Sequence, residues 1–346
     1  MPMKNFFIGL IIIILVGFGI YFFTDDSKDA SDTPTPSPSA TVDTTNGTTA
    51  TTTGTAGVST SAGTSTVPTA STSATDKSTI VNGVRQTTIG SSLGRLAINA
   101  YHFDSGNTAT IADKEILFVG GIHGGYSWNT ALVALQLIDY LKKNPEAIPA
   151  GVKVTVIPVL NPDGLMEVLG RSAIANLVIN DGTTFKTSDF SASQAKQIAG
   201  RFNTNKVDLN RNFDCDWQAN GQWQNTAVSG GTAAFSEPES RAIKNYIESH
   251  DIAAAVVWYS AAGGVYSSSC HNGVLDETRT LTNIYADASG YSANEDFDFY
   301  AITGDMTNWL AKKSIPAISV LLTDHQNTEW SKNLAGIKAV LREYAK

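Results

Sequence analysis

Apolar residues are unevenly spread along the 346 positions of the chain. Phe6 to Phe23 (FFIGLIIIILVGFGIYFF) is an almost unbroken apolar run. Residues 27 to about 77 are nearly all Ser, Thr, Ala, Gly, Pro and Asp, as in TPTPSPSATVDTTNGTTATTTGTAG. From about residue 80 onward, apolar and polar positions alternate in the rhythms of strands and helices.

Within that last region, Glu115–Gly120 (EILFVG) is a short apolar run closing on Gly-Gly, which predicts a buried strand. Trp128–Lys143 carries Leu132, Leu135, Ile138 and Leu141 on one helical face. Val152–Leu160 (VKVTVIPVL) is rich in β-branched residues and ends at Asn161-Pro162-Asp163-Gly164, a turn signal. Ser236-Glu237-Pro238-Glu239 has the spacing of a capping box and predicts a helix to about Ser249. Ile252–Tyr259 predicts a second buried strand, Gly304–Lys313 a helix, Ile315–Leu322 a strand and Ser331–Tyr344 a terminal helix. Such alternation predicts an α/β sandwich with a largely buried sheet, whose function sits in loops beyond the strand ends.

The three regimes divide the chain into an N-terminal membrane anchor (residues 1–24), a disordered linker (25–78) and one folded domain (79–346). An apolar run of 18 residues just reaches the length that crosses a bilayer as a helix. Lys4 precedes it and Asp25 and Asp26 follow. The positive-inside rule then leaves the N-terminus cytoplasmic and the domain extracytoplasmic on a single pass. A cleaved signal peptide is the alternative, but no small-x-small site follows the run. The linker has too little apolar surface to offset its chain entropy. As a flexible stalk it spans roughly 40 Å.

Charge adds little. Lys and Arg number 24 against 32 Asp and Glu, a net charge of −8, and no basic run follows the N-terminus. Nothing points to a nucleic-acid partner. Cys215 and Cys270 are the only cysteines, and an isolated pair in an exported chain is a candidate disulfide. Two free thiols are the alternative, as is a metal site with His271, which has no recognisable spacing.

Candidate chemistry lies at turns. His123 follows the strand EILFVGGI inside Gly120-Gly121-Ile122-His123-Gly124-Gly125. Arg211 sits between amides in Val207-Asp208-Leu209-Asn210-Arg211-Asn212-Phe213, ten residues after Arg201. A guanidinium forks onto a carboxylate through two parallel hydrogen bonds, so these groups suit a peptide's terminal carboxylate. Taken singly, each residue equally suits a structural role.

The order of these motifs resembles the zinc carboxypeptidases of peptidase family M14. GGIHGG, NPDG, VDLNRNF, SGGTAAFSEPES, YSAAGGVY, ITGDMTNWLAKKSIPAISV and TEWSKNLAGIKAVL follow in that order between Gly120 and Leu341. The resemblance implies a mixed, largely buried eight-stranded sheet flanked by helices, and removal of C-terminal residues from peptides by one zinc. It implies that His123 is the first zinc ligand. Asn210 and Arg211 hold the substrate carboxylate, and Arg201 stabilises the oxyanion. Tyr300 closes over the substrate, and Thr307 lies near the base of the side-chain pocket.

The departures matter more. The second ligand, a Glu three or four residues after the His, is replaced by Tyr126 or Ser127. Tyr259 stands where the third ligand, a His, is expected, and Leu321 (or Leu322) where the general-base Glu is expected. A catalytic zinc needs about three protein ligands and an open position. No cofactor is therefore expected. The sequence predicts a pseudoenzyme that binds peptide C-termini or peptidoglycan stem peptides. The alternatives are an active peptidase whose metal site is rebuilt from Cys270, His271, Asp324 and His325, and a structural or adhesive surface domain.

Overall fold

The computed structural model describes residues 78–81, 83–105, 114–170 and 192–346. The expected anchor and nearly all of the expected linker lie outside the described residues. Among the described residues no helix is long and apolar enough to cross a membrane.

Among the described residues there are eleven strands: β1 (Thr79–Val81), β2 (Val84–Ser91), β3 (Ala97–Asp104), β4 (Lys114–Val119), β5 (Val152–Ile157), β6 (Asn220–Trp223), β7 (Thr226–Ser229), β8 (Ile252–Ser260), β9 (Gly264–Ser267), β10 (Ala293–Asn294) and β11 (Ala317–Leu322). The helices are α1 (Trp128–Lys143), α2 (Pro162–Leu169), α3 (Gln194–Ala199), α4 (Pro238–Ser249), α5 (Asp276–Ser289), α6 (Met306–Lys312) and α7 (Trp330–Tyr344). Nine strands join one sheet in the order β1-β2-β3-β5-β4-β8-β11-β9-β10, and β6 and β7 form a separate hairpin. The expected number of eight is therefore corrected to nine. The surplus lies at the margins, where β1 has three residues and β10 two. Such brief edge strands carry no periodicity to read, and shortness itself discourages further pairing.

The middle of the sheet is parallel, β5, β4, β8 and β11 running the same way. These strands are covered on both faces, which is why they read as continuous apolar runs. Along β8, Ala254, Val256 and Trp258 enter a core shared with α1, α5 and α7. Ala255, Val257 and Tyr259 enter the opposite core, shared with α4 and α6. The period-two alternation of side chains thus builds three layers.

Several boundaries depart from expectation for local reasons. Asn161-Pro162-Asp163-Gly164 opens helix α2 instead of a simple turn. The Asn161 side chain caps it by accepting from Gly164 N, and Pro162 has no N–H to orphan. The expected capping box does not form. Glu239 instead accepts from the Leu93 N–H and the Asn203 amide. Helix α6 starts at Met306 because Asp305 caps it, accepting from Asn308 N at 2.9 Å. Strand β11 begins after Pro316, which has no N–H to give a ladder. Helix α1 keeps its expected bounds, but Trp128 to Leu135 are buried all round.

Candidate functional site

Parallel strands present their carboxyl ends on one edge, and a cleft of about 620 Å³ opens there. His123 reaches it from the turn after β4. That turn needs its glycine: Gly124 has φ +43° and its Cα side abuts the backbone of Gly164 and Gly200. Tyr259 and Leu321 come from the ends of β8 and β11, in register with one another. Arg201, Asn210 and Arg211 come from the connection between α3 and β6. Tyr300 and Thr307 complete the wall. Of the predicted site residues, Ser127 and the disulfide partner Cys215 do not line the cleft. Ser127 is 1 % exposed, and its neighbour Tyr126 forms the wall instead. Of the two residues expected at the second-ligand position, Tyr126 is the one that faces the cleft.

Asp208 organises the buried charges. It is fully enclosed and accepts from Arg201 Nε at 2.9 Å and Nη2 at 2.8 Å through one oxygen. Its other oxygen accepts the Asn210 N–H and lies 3.4 Å from His123 Nε2. Burial pushes the Asp208 carboxyl up, but Arg201, His123 and Arg211 together overcome this and hold it well below the carboxylate range. The His123 contact is longer than the usual hydrogen bond, and neither ring nitrogen has a hydrogen-bond partner. Burial first, then the charge of Arg201, lowers the His123 pKa to about 4 against the pull of Asp208. The imidazole is neutral near pH 7.

Arg201 was expected to stabilise an oxyanion. Its guanidinium pairs with Asp208, lines the cleft, and lies 4.5 Å from the ring centre of Trp223 and 5.4 Å from that of Tyr126. Tyr126 in turn packs edge-on against Trp223 and at a tilt against His325. This aromatic wall brings in the β6–β7 hairpin, which the sequence did not announce.

Arg211 is differently placed. It is 1 % exposed and donates to Asn210 O through Nη1 and to Gln222 O through Nε and Nη2. A guanidinium carries more N–H donors than these three bonds use, so a pair stays free on a side chain that lines the cleft. The Tyr300 ring lies 5.8 Å from the guanidinium carbon. Gly304, at φ +65°, packs directly on the Arg211 carbonyl, where a Cβ would stand 2.3 Å away. Asn210 is held as firmly. Its amide oxygen accepts from Tyr259 Oη and Met306 N, and its nitrogen donates to Asp305.

The donor set for a metal is thin. Burial raises the phenol of Tyr259, expected at the third-ligand position, well above the usual value, so it donates to Asn210 as a neutral group. Burial raises the Tyr126 phenol as well. Leu321, 7 % exposed, has no donor. One neutral imidazole remains, which does not fit a divalent ion that needs about three ligands. The residues expected to rebuild a site in the alternative reading are otherwise engaged. Cys270 is bonded to Cys215, as the sequence suggested, with Cα atoms 6.2 Å apart. His271 pairs with Asp216 at 2.7 Å on the surface. His325 Nδ1 meets Ser260 Oγ at 3.0 Å, and Asp324 accepts from Gln326 N and Asn327 N. Among the described residues, the one group of three close candidate ligands is Cys215, Asp216 and Cys270, whose sulfurs are already joined.

Asp208, Asp305 and Trp223 are the functional residues that sequence reasoning missed. Asp208 lay within VDLNRNF and was the only acid there, a signal that was available. Trp223 carried none.

Comparison with known proteins gives the family and the fold. The zinc carboxypeptidase family model matches residues 74–332. No curated protein sequence matches the chain. Among solved structures, thrombin-activatable fibrinolysis inhibitor is similar at 16% identity and a TM-score of 0.58, over 76% of this chain and 69% of that one. The carboxypeptidase A of Helicoverpa armigera is 18% identical with a TM-score of 0.54, over 76% and 68%. Bovine thrombin-activatable fibrinolysis inhibitor, in complex with tick carboxypeptidase inhibitor, is 16% identical with a TM-score of 0.55, over 76% and 88%. At these identities the likeness is one of fold.

Proposed function

The chain belongs to the zinc carboxypeptidase family, and from that membership we propose that its domain holds peptide C-termini without hydrolysing them. One contrast carries this. Arg211, which lines the cleft, has two N–H donors beyond the three that its bonds use, while Tyr126, Tyr259 and Leu321 stand where the sequence expects metal ligands and base. A carboxylate is met by a preorganised fork. Water without a metal keeps a pKa near 15.7 instead of about 7, and a missing general base costs a further ~10²–10⁴ in rate. On the same proposal, the apolar run at 6–23 tethers the domain outside the cell. Its ligands there are peptidoglycan stem peptides or other free C-termini, with surface multivalency offsetting the weakness of a single clamp.

Isothermal titration tests this with a peptide and its C-terminally amidated twin. The free acid binds and the amide does not. Arg211→Lys keeps the charge but loses the fork, and weakens the free acid about tenfold. Equal binding of acid and amide refutes the proposal.

A further inference from the structure

Resting on that clamp, we propose that the cleft selects C-terminal residues whose side chain ends in a hydrogen-bond donor. The inference follows from the direction of hydrogen bonds among Asp305, Thr307 and Ser319, all of which line the same cleft as Arg211. Asp305 is 4 % exposed and takes part in no ion pair among the described residues. It accepts from Asn210 Nδ2, from Asn308 N and, at 2.7 Å, from Thr307 Oγ1.

A carboxylate only accepts, and a hydroxyl has one proton. The Thr307 proton is therefore committed to Asp305. Thr307 Oγ1 also lies 3.0 Å from Ser319 Oγ. Two oxygens at that distance need a proton between them, and Thr307 has none left, so Ser319 is the donor. Ser319 then shows the cleft lone pairs alone. It is half-buried and has no other hydrogen-bond partner among the described residues.

An amide, hydroxyl or ammonium group on the ligand satisfies that oxygen. An apolar side chain expels its water and leaves it unpaired. A carboxylate sets lone pair against lone pair, with the Asp305 charge behind. Asn308 adds a neutral donor, since its amide oxygen accepts from Ser269 N and its NH2 stays available. Gln and Glu side chains both satisfy that NH2, so comparing them isolates Ser319.

The test is titration calorimetry of the intact protein with peptides that differ only in a C-terminal Gln, Glu or Leu, together with the amidated Gln peptide. The Gln peptide binds about tenfold more tightly than the other two acids. Ser319→Ala, which removes a single half-buried hydroxyl, brings the Gln peptide to within about twofold of the Leu peptide. If the three acids bind alike while the amide fails, the selectivity is wrong and the clamp stands. If the amide binds as well as the acid, the clamp is wrong and the selectivity falls with it. A preference for Glu, or a Gln preference that survives in Ser319→Ala, also overturns the assignment.

Discussion

Leu321→Glu places a carboxyl group where the family resemblance puts its general base, in a cleft whose residues do not fit a metal ion. Leu321 is 7 % exposed, on β11 between Tyr259 of β8 and Gly264 of β9. Losing the buried leucine costs about 2 kcal/mol. Of the two arginines beside it, Arg201 is paired with Asp208, while Arg211 keeps two N–H donors beyond its bonds to backbone carbonyls; the full destabilisation is reached when the new carboxylate does not pair with them. It avoids desolvation by taking up a proton, which at pH 7 costs at most about 4 kcal/mol for a group whose unfolded pKa is near 4.3. The variant is therefore destabilised by about 4–6 kcal/mol at pH 7. The sign with pH follows from a raised folded pKa. The charge penalty is full above that pKa and vanishes as pH falls toward about 4.3, leaving about 2 kcal/mol. Urea titrations at pH 7 and pH 4.5, with and without added zinc, measure this. Stability within about 1 kcal/mol of wild type at pH 7, or a zinc-dependent rise in the midpoint of this single variant, refutes the reasoning, since either needs a cation already at the site.

Three further outcomes follow from the same structure. Tyr126→Glu, Tyr259→His and Leu321→Glu together recover one zinc per chain by elemental analysis, while no single change does, because about three ligands are required at once. Replacing Cys215 and Cys270 with serine costs about 4 kcal/mol in urea unfolding on the loop-entropy account, given the sequence separation of 55 between the bonded pair. His102, away from the cleft, is hydrogen-bonded to Thr87 and Thr155; burial first, then Arg85 and His250, lower its pKa to about 4. Its unfolded pKa is higher, near 6.5, so stability present at pH 7 is lost as pH falls through that window. His102→Gln makes the fall in unfolding free energy between pH 7 and pH 5 shallower by about 1 kcal/mol, after discounting for partial solvent screening.

The elements that were legible in the sequence are those whose burial is simple. β8 and β4 lie between two helical layers, so both faces had to be apolar and the runs were plain. Helix α1 showed its period and its terminal Lys142 and Lys143. β2 and β3 were not legible because inward positions are polar: Gln86, Thr87, Asn99 and His102 are all buried, and His102 connects through Thr155 to Glu115. Helix α5 hid for a related reason, its core side reduced to residues such as Leu281, Tyr285 and Ala286 among polar neighbours. At the site, motif order located His123, Asn210, Arg211, Tyr259 and Leu321, and one cleft gathers them. Partnerships were not readable. That Asp208 serves both Arg201 and His123, that Tyr259 steadies Asn210, and that Trp223 covers Arg201 are contacts made through space. The choice between Tyr126 and Ser127 depended on where the turn after β4 gives way to α1, a matter of one residue.

The metal content of the protein, purified without chelator and measured by elemental analysis, bears most directly on the central claim. A cleft offering one neutral imidazole, two protonated phenols and a leucine should retain far less than one zinc per chain. One tightly held zinc per chain, removed by EDTA together with an ability to trim peptide C-termini, would contradict it.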